Sequence, residues 1–195
     1  LLHLISDTRI SELAEHGLTV IDLSQLPTLW LPLHDRLISL EHSSQLQDAR
    51  IGGDGHSTRN DTIRSDATSW LDPSHATDRV WLDMLESVRS LLNHQLFLGL
   101  REVEAHFASY PEGGHYDWHW DNPPNSNRRR ISSVLYLNRD WSNDFGGEFE
   151  YFDADQTVRK ISPMGGHFVL FRSEMIKHRV APARTRRRSV TAWFM

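Results

Sequence analysis

The chain has no cysteine, which excludes disulfide frameworks, thiolate zinc sites and cysteine nucleophiles together. The redox compartment is left open, with the cytoplasm as the default expectation. No apolar run approaches the roughly 18 residues that a bilayer-crossing helix needs, so no membrane association is expected. Residues 1–5 are apolar but lack a basic flank and run straight into Ser6-Asp7, which does not read as a signal peptide. A start without Met is compatible with trimming. Basic charge is not in excess: 21 Lys and Arg against 26 Asp and Glu leave a net charge of −5. That balance argues against nucleic-acid binding. Internal repeats and low-complexity linkers are absent as well.

What is present fits one globular domain, residues 1–195, with 38% hydrophobic and 24% charged residues. A chain of this size buries roughly 70% of its unfolded surface. Ser6-Asp7 can cap a short helix that Gly17 ends, and residues 18–23 then read as a strand. Trp30, Leu33, Leu37 and Leu40 recur at helical spacing, as do Trp81, Leu85, Val88 and Leu92. Both stripes are those of packing helices. Between them, residues 50–66 are rich in Gly, Asp, Ser, Thr and Asn, too long and polar for a simple turn, and read as a surface loop or a lid.

After Gly99 the texture changes. Short extended runs at 102–110, 116–121, 131–138, 148–152, 157–161, 167–171, 176–180 and 187–194 alternate with Gly- and Pro-rich breaks. The expected fold is mainly β with flanking helices: a double-stranded β-helix, or jelly roll, with the N-terminal helices packed on one sheet. Residues 1–98 would supply helical support and an entrance loop, and 99–195 the jelly-roll core.

Twelve histidines make any single one weak evidence, so spacing must decide. Residues two apart on a strand share a face, and His115, Asp117, His119 and Asp121 would all point one way on a regular strand. His119 and Asp121 are the favoured pair because Asn122-Pro123-Pro124 stops the strand there, whereas His115 follows a double glycine and reads as a rim residue. His178 is preferred over His167 and His106 as the distal imidazole, because a short connection links it to the strand that starts at arginine. Two imidazoles and a carboxylate with open positions are the ligand set of a non-haem Fe(II) oxygenase. Arg187 comes nine residues after His178. With Ser189, Thr191 and Trp193 it forms one face of the last strand, and Arg188, Val190, Ala192 and Phe194 form the other. The first face suits a pocket for an acidic cosubstrate, whose carboxylate the planar guanidinium meets through two hydrogen bonds.

The segments 63–70, Tyr110-Pro111, 116–123, 135–141, Gly146-Gly147 and His178 through Trp193 together resemble the prolyl hydroxylase branch of the Fe(II)/2-oxoglutarate dioxygenases. The oxygen-sensing hypoxia-inducible-factor type and its bacterial relatives are the nearest in pattern, and the likeness covers roughly residues 50–195. The resemblance implies an oxidoreductase with His119, Asp121 and His178 as iron ligands. It implies Arg187 as the anchor for the distal carboxylate of 2-oxoglutarate, with Tyr136 sharing it and Tyr110, Thr191 and Trp193 around the pocket. Asp66 and Arg129, with Arg128 an alternative, resemble a pair shaping the substrate entrance near Trp70. Ser65 departs from the usual glycine and puts that loop's conformation in question. Fe(II), 2-oxoglutarate and O₂ are the implied cofactor and cosubstrates, and ascorbate a further expected one. Because halogenating relatives lack the carboxylate supplied here by Asp121, the implied outcome is hydroxylation of an unactivated C–H bond with release of succinate and CO₂. A proline-containing protein or peptide is the first substrate expectation, a free amino acid or other small molecule the second. A non-catalytic metal-binding jelly roll is the reading from another class. Oligomeric state is not legible.

Overall fold

The computed structural model describes residues 1–49, 60, 62–122 and 128–195. Most of the polar stretch 50–66, and Pro123-Pro124, therefore lie outside the described residues.

Helix α1 (Asp7–His16) starts where the Ser6 side chain accepts the Arg9 backbone N–H and stops at Gly17, whose φ of 76° only glycine adopts freely. Strand β1 (Leu18–Asp22) follows directly. Helix α2 (Pro27–His42) opens on proline, whose fixed φ suits the first turn. Helix α3 (Ala76–Leu96) carries Trp81, Leu85, Val88 and Leu92 on its buried stripe. Two short strands, β2 (Gln47–Asp48) and β3 (Ala67–Trp70), lie between α2 and α3.

The remaining strands are β4 (Val103–Tyr110), β5 (Tyr116–His119), β6 (Ile131–Tyr136), β7 (Phe149–Phe152), β8 (Val158–Ile161), β9 (His167–Arg172), β10 (His178–Val180) and β11 (Arg187–Phe194). All pair antiparallel, in a seven-stranded sheet β1-β9-β6-β11-β4-β3-β2 and a four-stranded sheet β5-β10-β7-β8. Two antiparallel sheets facing each other form the expected jelly roll.

One face of the large sheet carries the helices. Leu13 of α1, Leu33 and Leu37 of α2, and Leu85 and Val88 of α3 join Phe107, Leu135, Val190, Ala192 and Phe194 in one apolar core. Helices α1, α2 and α3 all contribute to the cover of this sheet. The other face looks at the small sheet across a second cluster of Val134, Tyr136, Phe149, Val169, Phe171 and Ile176. Strand β6 is consequently buried at every position, as expected of a strand covered on both faces. The first half of the chain is more than helical support, since β1 edges the large sheet along β9 and β3 extends it past β4.

Candidate active site

His119 and His178 stand opposite each other in the β5–β10 ladder, but the next partners are Tyr116 and Val180. Three residues of β5 thus run against two of β10, which is a β-bulge. The bulge overturns the expectation of a regular strand over 116–121. It turns Asp117 out to solvent while Tyr116 and His119, three apart, stack ring on ring. Asp121 then reaches the cluster from the bend after β5, not from the strand itself.

Candidate ligand atoms of His119, Asp121 and His178 all lie within 4.8 Å of one another. Both imidazole Nε2 atoms face one carboxylate oxygen, Asp121 Oδ1, at 3.5 Å from His119 and 4.0 Å from His178. The other ring nitrogens are committed. Nδ1 of His119 is 2.7 Å from the Asp117 carbonyl, and Nδ1 of His178 is 3.1 Å from the Ile176 carbonyl. A carbonyl only accepts, so each Nδ1 carries a proton and each Nε2 is the nitrogen turned toward Asp121 and available to a metal, the arrangement that metal-ligating histidines use. Burial, reinforced by the neighbouring His119, holds the His178 pKa down to about 4, so its ring is neutral at physiological pH. Burial alone would raise Asp121, but the two imidazoles and the Ser132 hydroxyl hold it well below the ordinary carboxylate range. Ser132 is itself bonded to Ser173 at 2.8 Å. Two imidazole nitrogens and one carboxylate on one side of a shared pocket fit a divalent iron with positions left open.

Beside this cluster, the Arg187 side chain is among the largest fully buried ones in the molecule. Its Nε donates to the Gly147 carbonyl at 2.9 Å, and its guanidinium lies over the rings of Tyr110 and Tyr136 at 5.1 and 5.0 Å. Among the described residues no carboxylate comes within ion-pair distance of it. The Tyr136 hydroxyl and Trp193 Nε1 are buried without a hydrogen-bond partner among the described residues. Burial pushes the Tyr136 phenol up to about 12, so it remains a donor. Ser189, Thr191 and Trp193 line the space between Arg187 and the triad, with Val134, Phe149 and Val180. A buried cation lining this pocket with no carboxylate partner among the described residues calls for an anionic, hydrogen-bond-accepting ligand. A dicarboxylic keto acid has that chemistry.

The entrance pair expected between Asp66 and Arg129 does not form. Asp66 is held by Arg64 through two parallel bonds of 2.8 and 2.5 Å, and among the described residues no ion pair joins it to Arg128 or Arg129. Arg129 turns instead to Glu104 at 2.9 Å and lies flat over the Trp193 indole at 3.7 Å. The physical reason is reach: Arg64 sits two residues from Asp66 beside Tyr116, while Arg129 precedes β6 and meets β4 and β11 first. Trp70 is largely exposed, its ring edge-on to His106. His106 and His167 stay outside the metal cluster, and His115 contacts the Thr62 carbonyl at 3.2 Å. Sequence reasoning missed Gly147, Ser132, Ser173, Tyr116 and Arg64. Gly147, Tyr116 and Arg64 did lie in segments that carry the family resemblance, but nothing in the sequence assigned them these contacts, and Ser132 and Ser173 left no signal.

A jelly roll with this ligand set is the architecture of a non-haem iron oxygenase. The model of the 2OG-Fe(II) oxygenase superfamily matches residues 105–195. A prolyl-4-hydroxylase from Pseudomonas putida is 33% identical, with 95% of each chain covered and a TM-score of 0.86. A prolyl hydroxylase from Trichoplax adhaerens, solved with a hypoxia-inducible-factor peptide, is 25% identical over 95% of this chain and 86% of that one, with a TM-score of 0.83. Human Egl nine homolog 1 is 25% identical over 92% of this chain and 44% of its own length. The chain spans about half the length of the Egl nine homolog 1 proteins that it matches. The chain belongs to the 2OG-Fe(II) oxygenase superfamily, and within it to the prolyl hydroxylase branch. Members of this superfamily use Fe(II), 2-oxoglutarate and O₂.

Proposed function

We propose that this protein hydroxylates a prolyl residue of a protein or peptide, consuming 2-oxoglutarate and O₂ and releasing succinate and CO₂. One observation carries the cosubstrate assignment: Arg187 is buried beside the triad with no carboxylate partner among the described residues. In this reading His119, Asp121 and His178 hold the iron. When bound, the iron supplies the redox chemistry that couples decarboxylation of the keto acid to insertion of oxygen into a C–H bond. The protein's own residues bind and orient. Arg187 and the Tyr136 hydroxyl take the distal carboxylate, Tyr110 and Thr191 flank it, and Trp193 closes the wall. Holding the keto acid and the substrate in one pocket between the two sheets would orient them toward the iron.

The peptide as substrate class is supported by the Trichoplax relative, whose structure holds a peptide, and by the prolyl-4-hydroxylase from Pseudomonas putida. Asp66, Arg129 and Trp70 remain candidates for the substrate entrance, though not as the ion pair first expected. Ascorbate stays an expected accessory reductant and the cytoplasm the expected compartment. The test is turnover with Fe(II) and 2-oxoglutarate across proline-containing peptides and free amino acids, read by mass spectrometry and succinate release. Gain of one oxygen on a peptidyl proline supports the reading. Oxidation of free amino acids with none on any peptide would replace it by the small-molecule alternative.

A further inference from the structure

His119 is the most exposed of the three candidate ligands, and its ring is held by more than its Nδ1 bond. The Tyr116 ring stacks on it at 3.7 Å between centroids and 17° between planes. The Arg64 guanidinium also lies over the Tyr116 ring, 4.5 Å from its centroid. Arg64 is in turn clamped by Asp66 through Nε and Nη2. The result is a layered support: carboxylate, guanidinium, phenol, imidazole, with the open side of the imidazole facing Asp121 and His178.

The backbone is built to match. Arg64 and Tyr116 form an isolated antiparallel bridge, Ser65 N–H donates to the His115 carbonyl, and Asp117 N–H donates to the Ile63 carbonyl. The segment 63–66 therefore lies alongside β5 as a strap. The bulge in β5 is what puts Tyr116 and His119 on one side, since without it residues three apart would face opposite ways. Cation–π attraction and ring stacking are each modest. A planar guanidinium fixed by a bidentate carboxylate, however, gives the ring a rigid backing rather than a mobile one.

We propose that Arg64, anchored by Asp66, is a positioning residue that acts through the Tyr116 ring to hold the His119 imidazole in its metal-binding orientation. The inference rests on the reading of His119, Asp121 and His178 as the metal site and deepens it. It gives Asp66 a task different from the entrance pair expected of it. Outer partners that orient a ligating histidine commonly set metal affinity by about 10–100-fold.

The test is Co(II) titration of the metal-free full chain, followed by the cobalt absorption bands, so that no turnover is needed. His178→Ala is the control and should abolish specific binding. Tyr116→Ala and Arg64→Ala should each weaken Co(II) binding about tenfold, while Tyr116→Phe, which keeps the ring, should bind as wild type. Combining Arg64→Ala with Tyr116→Ala should add no loss beyond Tyr116→Ala alone, because the arginine acts through that ring. Arg64→Lys retains charge and stem without the planar fork, and should fall between wild type and Arg64→Ala. It also serves if the alanine variant does not fold. Wild-type affinity in both arginine variants, or an Arg64→Ala loss of equal size with and without the Tyr116 ring, overturns the strap. If His178→Ala keeps wild-type affinity, the metal site itself is wrong. Failure of the two readings is thus told apart.

Discussion

Arg187 and Arg188 are neighbours on one strand and have opposite electrostatic lives. Arg188 points to the helix side of β11, where Glu41 of α2 meets it with bonds of 3.0 and 2.8 Å. Arg187 points between the sheets, where it meets the Gly147 carbonyl and the rings of Tyr110 and Tyr136 and, among the described residues, no carboxylate. Period-two alternation sends identical side chains into two environments, one that neutralises the charge and one that leaves it for something else. A buried arginine is costly unless paired. Retaining one unpaired beside a cluster of metal-type ligands marks that side of the strand as the working side, and the Glu41–Arg188 pair as its mechanical counterpart.

The largest effects should follow from removing the unpaired charge. Arg187→Ala would leave a bound carboxylate without its partner, at a cost of about 3–5 kcal/mol, or roughly 10²–10⁴-fold in 2-oxoglutarate affinity. Arg187→Lys should also bind substantially more weakly, because a point charge replaces the fork. Calorimetric titration of 2-oxoglutarate into Mn(II)-loaded protein measures both. Unchanged cosubstrate affinity in the lysine variant would sink the anchor assignment.

A smaller effect should come from the carbonyl that holds Arg187. Gly147 has a φ of 69°, and a Cβ there would sit 2.9 Å from the Ala183 Cβ, 3.1 Å from Trp141 and 3.3 Å from Arg187 Cδ. Gly99 has nearly the same φ, 68°, with nothing within 4 Å. Both alanine substitutions should carry the left-handed backbone cost of about 1–2 kcal/mol. Only Gly147→Ala should also weaken 2-oxoglutarate binding, because it crowds the arginine. Equal cosubstrate affinity in the two variants would show that Gly147 serves the turn alone.

The alternation along β11 was legible in the sequence only from Ser189 to Ala192, where polar and apolar residues trade places; Arg187-Arg188 and Trp193-Phe194 each repeat one character, and their faces follow from extending that register. The helix stripes were legible for the same reason, each being one clean period. The expected ligands His119, Asp121 and His178 do converge, though the regular strand invoked to unite the first two does not exist. A bulge inserts one residue and leaves no trace in the pattern of apolar and polar positions, so Tyr116 gave no sign of stacking on His119. The partner of Asp66 was equally hidden, since Arg64, Arg128 and Arg129 offer the same charge and only the path of the chain chooses. Strand β2, with both residues exposed, has no buried face for alternation to reveal.

The smallest expected effect tests the paired side of the comparison. Glu41 accepts from Arg188 and, at 2.6 Å, from the Ser109 hydroxyl. Burial would raise its pKa, but these bonds outweigh it and the net shift is downward from an ordinary value near 4.5. A carboxyl whose folded pKa is depressed adds stability that is fully present above its unfolded value and is lost as pH falls through the folded one. Glu41→Gln should therefore cost about 1.5–3 kcal/mol at neutral pH, and denaturant melts should show the gap to wild type narrowing as the pH drops below about 4.5. Cosubstrate affinity should be unaffected, because the pair lies on the helix side of the strand. A gap that stays constant with pH would mean that Glu41 contributes through shape rather than charge. A loss of 2-oxoglutarate binding in Glu41→Gln would mean that the two faces of β11 are mechanically coupled, and that the division of labour between its adjacent arginines is incomplete.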